Sequence, residues 1–216
     1  MVALSNHYRF TVEEYLALEE NSPVKHEYID GQVFAMAGTT DSHNLIAGNL
    51  YTLIRRHLRG SDCRVYFADL KVRLDRNNRF YYPDLLVTCD RRDDQTSTYK
   101  RFPKLIIEVL SDGTEAFDRG DKFNDYQTLD SLEEYVLVNS KGQRVEIFRR
   151  QEKGRWQYES YVSPPHCQVQ LQSIDLGLAI SQRSATRCAD LYEDVPLGNE
   201  NPSINSQNWA SDPLMS

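Results

Sequence analysis

Two carboxylates in the middle of the chain have the residue types and spacing to share a metal ion. Glu108 lies inside the apolar run Lys104–Leu110, where an isolated charge is costly unless it is neutralised, paired or bound to a metal. Asp84 follows Pro83 at the start of the preceding apolar segment. Two hard oxygen ligands side by side suit Mg²⁺ or Mn²⁺, with water completing the coordination shell. The alternatives are a turn-capping role for Asp84 and a buried ion pair for Glu108.

A lysine on the helix predicted after Glu108 adds a positive charge to this pair. Lys122 shares a helical face with Asp118 and Tyr126. Phosphodiester hydrolysis needs an activated water, charge neutralisation on the phosphoryl oxygens and leaving-group stabilisation, which a carboxylate-bound divalent ion and a lysine supply. We therefore expect Lys122 to hold a scissile phosphate or to orient the attacking water. Asp118 is expected to pair with Lys122 along the helix, and Tyr126 is expected to belong to the core.

The elements that position these residues follow from the periodicity of apolar residues. Apolar spacing predicts helices over Thr11–Glu20, His43–Leu58 and Phe117–Leu129. Runs rich in Ile, Leu, Val and Tyr predict strands, with a bulge near Ala68-Asp69 in the first of them: Arg64–Leu74, Tyr81–Cys89, Lys104–Leu110, Glu134–Asn139, Arg144–Arg149 and Trp156–Val162. The order of elements predicts an α/β fold with a mixed central sheet flanked by helices.

Local signals define the two ends of this fold. Thr11 and Glu14 have the spacing of a capping box, and Asp30-Gly31 predicts a hairpin turn. Asp90–Arg101 is charged and polar and is predicted to be a surface loop. A last strand or a turn is expected over Ser173–Ile180, and a short helix over Ala185–Tyr192. We expect a single domain over residues 1–192 and a disordered polar tail over 193–216.

Composition limits the classes of protein to consider. The net charge of −7 argues against coating nucleic acid by bulk charge, but it leaves room for a local basic groove. No apolar run approaches the roughly 18 residues that span a bilayer, so no membrane association is expected. The four cysteines have no metal-binding spacing, which favours reduced thiols and a cytoplasmic protein: Cys63, Cys89, Cys167 and Cys188.

The order of these motifs resembles the Uma2 family, a group abundant in cyanobacteria. The residues that carry the resemblance run from the N-terminal hairpin to the strand after Lys122: Glu27-Tyr28-Ile29-Asp30-Gly31, His43, Pro83-Asp84, Ile107-Glu108-Val109-Leu110-Ser111, Asp118, Lys122, Tyr126 and Glu134-Tyr135. The resemblance implies the PD-(D/E)xK superfamily and a restriction-endonuclease-like fold. It also makes Glu27 a candidate third acid, although an ordinary strand position is the alternative. His43 at a helix start is a candidate neutral contact to the site.

The chain departs from the superfamily pattern at two places. Leu110 stands two residues after Glu108, where the superfamily carries lysine, so Lys122 would have to replace that lysine. The loop Ser111–Thr114 replaces the family's Ser-Pro-Ser-Thr and adds a negative charge through Asp112.

These observations predict a Mg²⁺- or Mn²⁺-dependent endonuclease acting on DNA. The acidic net charge keeps an alternative open, a non-catalytic module with the same fold that binds protein or nucleic acid. Because nucleases of this superfamily often dimerise to cut two strands, the resemblance also suggests a homodimer.

Overall fold

The computed structural model describes residues 2–3, 8–36, 38–139, 141, 144–162 and 167–180. The helices are α1 (Val12–Asn21), α2 (Asp41–His57), α3 (Glu115–Arg119) and α4 (Asp121–Tyr126). The strands are β1 (Val2–Ala3), β2 (His26–Ile29), β3 (Gln32–Ala35), β4 (Arg64–Phe67), β5 (Lys71–Leu74), β6 (Arg79–Tyr81), β7 (Leu85–Thr88), β8 (Tyr99–Lys100), β9 (Leu105–Leu110), β10 (Glu134–Asn139), β11 (Arg144–Arg150), β12 (Trp156–Val162), β13 (Cys167–Leu171) and β14 (Leu176–Ile180). The predicted helix over Ala185–Tyr192 and the predicted tail lie outside the described residues.

The described strands form two larger sheets and a C-terminal hairpin. One sheet has the order β1-β3-β2-β6-β5-β8, the second has the order β12-β11-β10-β9-β7-β4, and β13 pairs with β14. Strand β9 is buried along its whole length between the parallel β10 and the antiparallel β7. The second sheet is therefore the mixed sheet that the sequence predicted.

Two predicted strands are each divided between the two sheets. The bulge expected at Ala68-Asp69 is instead a break, with Ala68 at φ 53°, so β4 and β5 belong to different sheets. The strand predicted over Tyr81–Cys89 is likewise interrupted between β6 and β7, at Pro83. The two breaks are adjacent, because the backbone N–H of Ala68 donates to the carbonyl of Asp84 at 2.8 Å. Continuous strands were therefore the wrong prediction here, since periodicity does not reveal a change of sheet.

Two further elements differ from expectation. The helix predicted over Phe117–Leu129 is two short helices, because Gly120 adopts φ −107°, ψ −100° between α3 and α4. The segment predicted as a surface loop contains a 3₁₀ turn, Arg91–Gln95, and strand β8. Asp93 is buried in this segment. The burial of its carboxylate is compensated by hydrogen bonds from Thr88 and from the backbone of residues 101 and 102.

The mixed sheet separates two apolar cores. Helix α2 covers one face, where Ile54 packs with Leu85 and Ile107. The other face packs against α4, with Leu86, Ile106 and Tyr126 in one cluster. Side chains alternate along β9, so Glu108 points to the same face as Ile106, toward α4.

The N-terminal signals are confirmed. Thr11 caps α1 and exchanges capping-box hydrogen bonds with Glu14. Asp30 and Gly31 both have positive φ, 46° and 86°, as a two-residue hairpin turn between β2 and β3 requires. Strand β2 of this hairpin contains Glu27, whose side chain is buried.

The expectation of reduced thiols is wrong for one pair of cysteines. Cys63 and Cys89 form a disulfide across a sequence separation of 26. They flank β4 and β7, whose antiparallel register pairs Arg64 with Thr88. That register brings the two cysteines together, which their distance along the sequence could not show.

Breaking this disulfide is expected to destabilise the fold. A cross-link that closes a loop of this length stabilises a protein by roughly 3 kcal/mol, so Cys63→Ser/Cys89→Ser should unfold at a clearly lower urea concentration. Peptide mapping of the unreduced wild type should recover the two cysteines in one linked species. A wild type purified without reductant that shows four free thiols would contradict the assignment.

Candidate active site

Asp84 and Glu108 lie directly across from each other on neighbouring strands. The antiparallel register of β7 and β9 pairs Leu85 with Ile107 and continues by one residue to Asp84 and Glu108. The backbone N–H of Asp84 donates to Glu108 Oε2 at 3.3 Å, and the N–H of Val109 donates to Asp84 Oδ2 at 2.7 Å. Each carboxylate is thus held by the backbone of the opposite strand.

Lys122 lies on the buried side of the carboxylate pair formed by Asp84 and Glu108. Its Nζ lies 3.0 Å from Glu108 Oε1, 3.2 Å from Glu27 Oε1 and 3.4 Å from Asp118 Oδ1. The ammonium group is therefore surrounded by three carboxylates. The Tyr126 hydroxyl donates to Glu108 Oε1 at 3.3 Å. The Lys122 ammonium also lies over the ring of Tyr81, 5.5 Å from its centroid.

His43 joins the site from the first turn of α2. Its Nε2 lies 3.2 Å from Asp84 Oδ2. These two side chains are the more open part of the site, with 15% and 21% of their surfaces exposed, whereas Glu108 retains 4% and Lys122 6%. Access to the site is therefore through the Asp84 and His43 side.

Negative charge exceeds positive charge in this group. Four carboxylates, those of Glu27, Asp84, Glu108 and Asp118, are accompanied by one ammonium and one imidazole. With all carboxylates ionised, the excess is two negative charges if His43 is protonated and three if it is neutral. A divalent cation is the kind of ligand that such an excess attracts.

The pKa of Glu108 is raised, mainly by its burial. Burial raises the pKa of Glu108 well above its ordinary value; Lys122 acts against burial, and the charges of Asp118 and Asp84 raise the pKa further. Burial disfavours the charged form of Lys122, but Glu108 and Glu27 outweigh it and raise the pKa of Lys122 well above its usual range.

His43 is shifted toward its protonated form. The hydrogen bond to the Asp84 carboxylate raises the pKa of His43; burial opposes it, and the charge of Asp84 adds to it. The prediction of a neutral histidine is thus not favoured by the surroundings of the imidazole. Its contact with Asp84, rather than the helix dipole, dominates its titration.

The donor set fits a lightly ligated magnesium or manganese ion. Within the described residues, Asp84 engages its neighbours through Oδ2, which leaves Oδ1 available as a ligand. No group of three or more His, Cys, Asp or Glu side chains in the described part of the chain is arranged as a metal cage. Mg²⁺ commonly binds through one or two carboxylates and keeps several waters, so the two-carboxylate arrangement suits it.

All five residues singled out from the sequence lie in this group: Glu27, His43, Asp84, Glu108 and Lys122. Their chemical roles stay predictions. Leu110 is buried in the apolar core, and Lys122 instead reaches Glu108 from α4. Asp112 pairs with the exposed Lys141, away from Lys122.

Sequence reasoning undervalued two neighbours of Lys122. Asp118 was expected only to pair along the helix, yet it is buried and its charge also acts on Glu108. Tyr126 is in the core as expected, and it also donates to Glu108. The spacing of four residues on either side of Lys122 was the available signal for both.

The fold is shared with a solved structure. It is similar to that of "a putative nuclease belonging to DUF820" from Anabaena variabilis, with a TM-score of 0.66, 19% sequence identity, and coverage of 79% of this chain and 95% of that one. This similarity shows an α/β fold of the DUF820 nuclease type, with mixed sheets and few helices.

The chain belongs to the Uma2 family, whose sequence profile, described as "Putative restriction endonuclease", matches residues 12–183. Two relatives come from Synechocystis. Uncharacterized protein slr1290 is 38% identical over 172 residues, covering 80% of this chain and 90% of the relative. Uncharacterized protein sll1609 is 30% identical over 148 residues, covering 68% and 84%. Among the described residues, no helix has the length and apolarity to cross a membrane.

Glu108→Gln is expected to stabilise the metal-free protein at neutral and alkaline pH. The pKa of Glu108 in the folded protein is raised above the ordinary 4.5. The folded state therefore binds this proton more tightly than the unfolded state does, and the resulting stability is complete below pH 4.5 and is lost as the pH rises. A glutamine at position 108 carries no charge, so the variant does not lose this stability as the pH rises. Lys122 keeps Glu27 and Asp118 as its partners in the variant. Thermal melts in EDTA should show a gain that grows as the pH rises above the ordinary value of 4.5, with roughly 2–4 °C for each kcal/mol. If the variant is less stable than wild type throughout this pH range, the charges around the Glu108 carboxylate are not repulsive overall and the prediction is wrong.

Removing the Lys122 charge should destabilise the fold strongly. Lys122→Met keeps most of the side-chain volume but leaves three buried carboxylates without their shared cation, a loss of about 3–5 kcal/mol. Urea unfolding in EDTA measures this loss. The matched control is Lys141→Met, because Lys141 pairs with Asp112 in the open and should leave the unfolding midpoint unchanged. Equal effects of the two substitutions would show that the buried group does not need its lysine.

Proposed function

We propose that the chain is an endonuclease that hydrolyses phosphodiester bonds of DNA with Mg²⁺ or Mn²⁺ held by Asp84 and Glu108. The observation that carries the proposal is the cross-strand pair of carboxylates with Lys122 on Glu108 and an excess of negative charge around them. Family membership supports the same activity. A bound divalent ion would supply an activated water and would neutralise charge on the phosphoryl oxygens.

The protein side chains have distinct tasks in this proposal. Val109 N–H and His43 fix Asp84 through Oδ2, so that Oδ1 faces the added ligand. Glu108 would bind a cation as its carboxylate, so cation binding would weaken at low pH. Tyr126 orients Glu108 through Oε1.

Lys122 has a more restricted task than the sequence suggested. Its ammonium nitrogen already lies 3.2 Å from Glu27, 3.0 Å from Glu108 and 3.4 Å from Asp118, and its side chain is only 6% exposed. It can contact a phosphate or an attacking water only after one of these contacts is released. In the present arrangement it neutralises and positions the carboxylates.

A non-catalytic module is the second candidate. The observation that favours it is the closed ion cluster around Lys122, in which Glu108 is almost completely buried. In that case the cluster would stabilise the fold, and divalent ions would have no effect on activity.

A cytoplasmic location and a homodimer stay predictions; sedimentation of the purified chain tests the second.

A cleavage assay with metal titration decides between the two candidates. Wild type should cut duplex DNA with Mg²⁺ or Mn²⁺ and not in EDTA. Asp84→Asn and Glu108→Gln should each lose several kcal/mol of transition-state stabilisation, about a hundredfold or more in rate. Asp112→Asn is the control, because this exposed acid pairs with Lys141 and its loss should leave cleavage intact.

The same titration should raise the melting temperature of wild type and not of Asp84→Asn. If millimolar Mg²⁺ and Mn²⁺ neither stabilise wild type nor support cleavage, the nuclease proposal is wrong and the binding-module candidate takes its place.

A further inference from the structure

The exposed side of α2 is a band without acidic residues in an otherwise acidic protein. No aspartate or glutamate occurs from residue 42 through residue 61, although the chain has 32 acidic residues in 216. Asn44, Thr52 and Arg55 are exposed along this helix, with Gly48 between them at helical spacing. The band begins beside His43, which contacts Asp84, and ends in the arginines after Ile54.

Those arginines are exposed and unpaired. The side chains of Arg55, Arg56 and Arg59 form no salt bridge or hydrogen bond with another described residue, and the same is true of Arg91. Most other arginines in the described part of the chain have such a partner, for example Arg76 with Asp130 and Arg101 with Asp75. Unpaired cations on an acidic protein are available to an external anion.

The disulfide joins the two segments that carry these arginines. Cys63 follows Arg59 by four residues and Cys89 precedes Arg91 by two, with a Cα–Cα distance of 4.0 Å between the cysteines. Arg91 and Asp62 line one pocket beside them. The nearby Asp90 and Asp94 are engaged by Arg92 and Arg64, which leaves Arg91 and Asp62 as the charged groups of this pocket without an ion pair among the described residues.

Gly48 is a second unusual feature of the band. A glycine in a helix interior costs about 1 kcal/mol relative to alanine. Packing does not explain it here, because a Cβ at this position would meet nothing within 4 Å. The glycine keeps this part of the surface free of a side chain, and its carbonyl accepts the Thr52 hydroxyl at 2.9 Å.

We propose that this band, from Asn44 through Gly48 and Thr52 to Arg55, Arg56 and Arg59, with Arg91 beside them, binds the phosphate backbone of duplex DNA. The proposal rests on the proposed function, since it places the DNA that enters the Asp84 site. Helix α2 has 17 residues, so it is about 25 Å long and matches roughly seven base pairs. One duplex along the helix would then extend from the arginines to His43, which contacts Asp84 at the open side of the site. Cations at a helix C-terminus also favour the dipole, but that role affects stability alone.

The test compares charge removal inside and outside the band. Arg55→Gln/Arg59→Gln removes two charges from it, and Arg144→Gln/Arg155→Gln removes two exposed, unpaired arginines elsewhere. Binding of a fluorescent mixed-sequence duplex of about 30 base pairs is measured by anisotropy across a salt series, with Ca²⁺ in place of Mg²⁺. Melting temperatures establish that the variants are folded.

The band variant should bind about tenfold more weakly, and its slope of log affinity against log salt should be shallower by about 1.8, for two lost phosphate contacts. The control pair should match wild type. Arg91→Gln should lose about one contact, and Gly48→Glu should weaken binding by placing a charge in the middle of the band.

Equal binding by the band variant and wild type overturns the inference, and so does an equal loss in both double variants, since net charge would then explain it. Wild type that binds single-stranded RNA but no duplex overturns the choice of DNA. The proposed function fails separately: normal, band-dependent DNA binding without metal-dependent cleavage leaves the surface standing and removes the nuclease activity.

Discussion

The arrangement of the site depends on one buried ammonium group. Lys122 contacts carboxylates from three separate elements, namely β2, β9 and α3. It thereby connects both sheets and the helical layer at a single point. Buried carboxylates of like charge repel one another strongly at this range, so the lysine is a condition for bringing them together. The three carboxylates surround the ammonium group, so its first effect is structural.

The junction between the two sheets explains where the opening lies. The chain leaves one sheet and enters the other at Ala68 and again at Pro83-Asp84. At such breaks the backbone lacks its regular ladder partners, and here the Asp84 carbonyl is satisfied by Ala68. Asp84 therefore stands at the beginning of β7, where its side chain is partly exposed, while Glu108 lies within the buried length of β9. Because the chain takes this path, the partly exposed Asp84 lies beside the deeply buried Glu108.

Charge is distributed unevenly over the acidic chain. Negative charge is concentrated around Lys122, and unpaired positive charge is concentrated at the far end of α2. In the functions proposed above, a polyanion would be repelled by the first region unless a cation is present, and it would be attracted by the second. Net charge alone therefore says little about partners, because binding depends on the local surface.

The amino-acid sequence alone was enough to predict the α/β class, to single out the candidate site residues and to recognise local signals between near neighbours. The acid in the apolar run at Glu108, the capping box at Thr11 and the hairpin turn at Asp30-Gly31 are of this kind. The folded structure was needed to show that β4 and β5 lie in different sheets, that Cys63 meets Cys89, and that Glu27 shares Lys122 with Glu108. These features depend on register and on long-range packing. Periodicity reports which face of a strand is buried, and it carries no information about which sheet or which distant residue lies against that face.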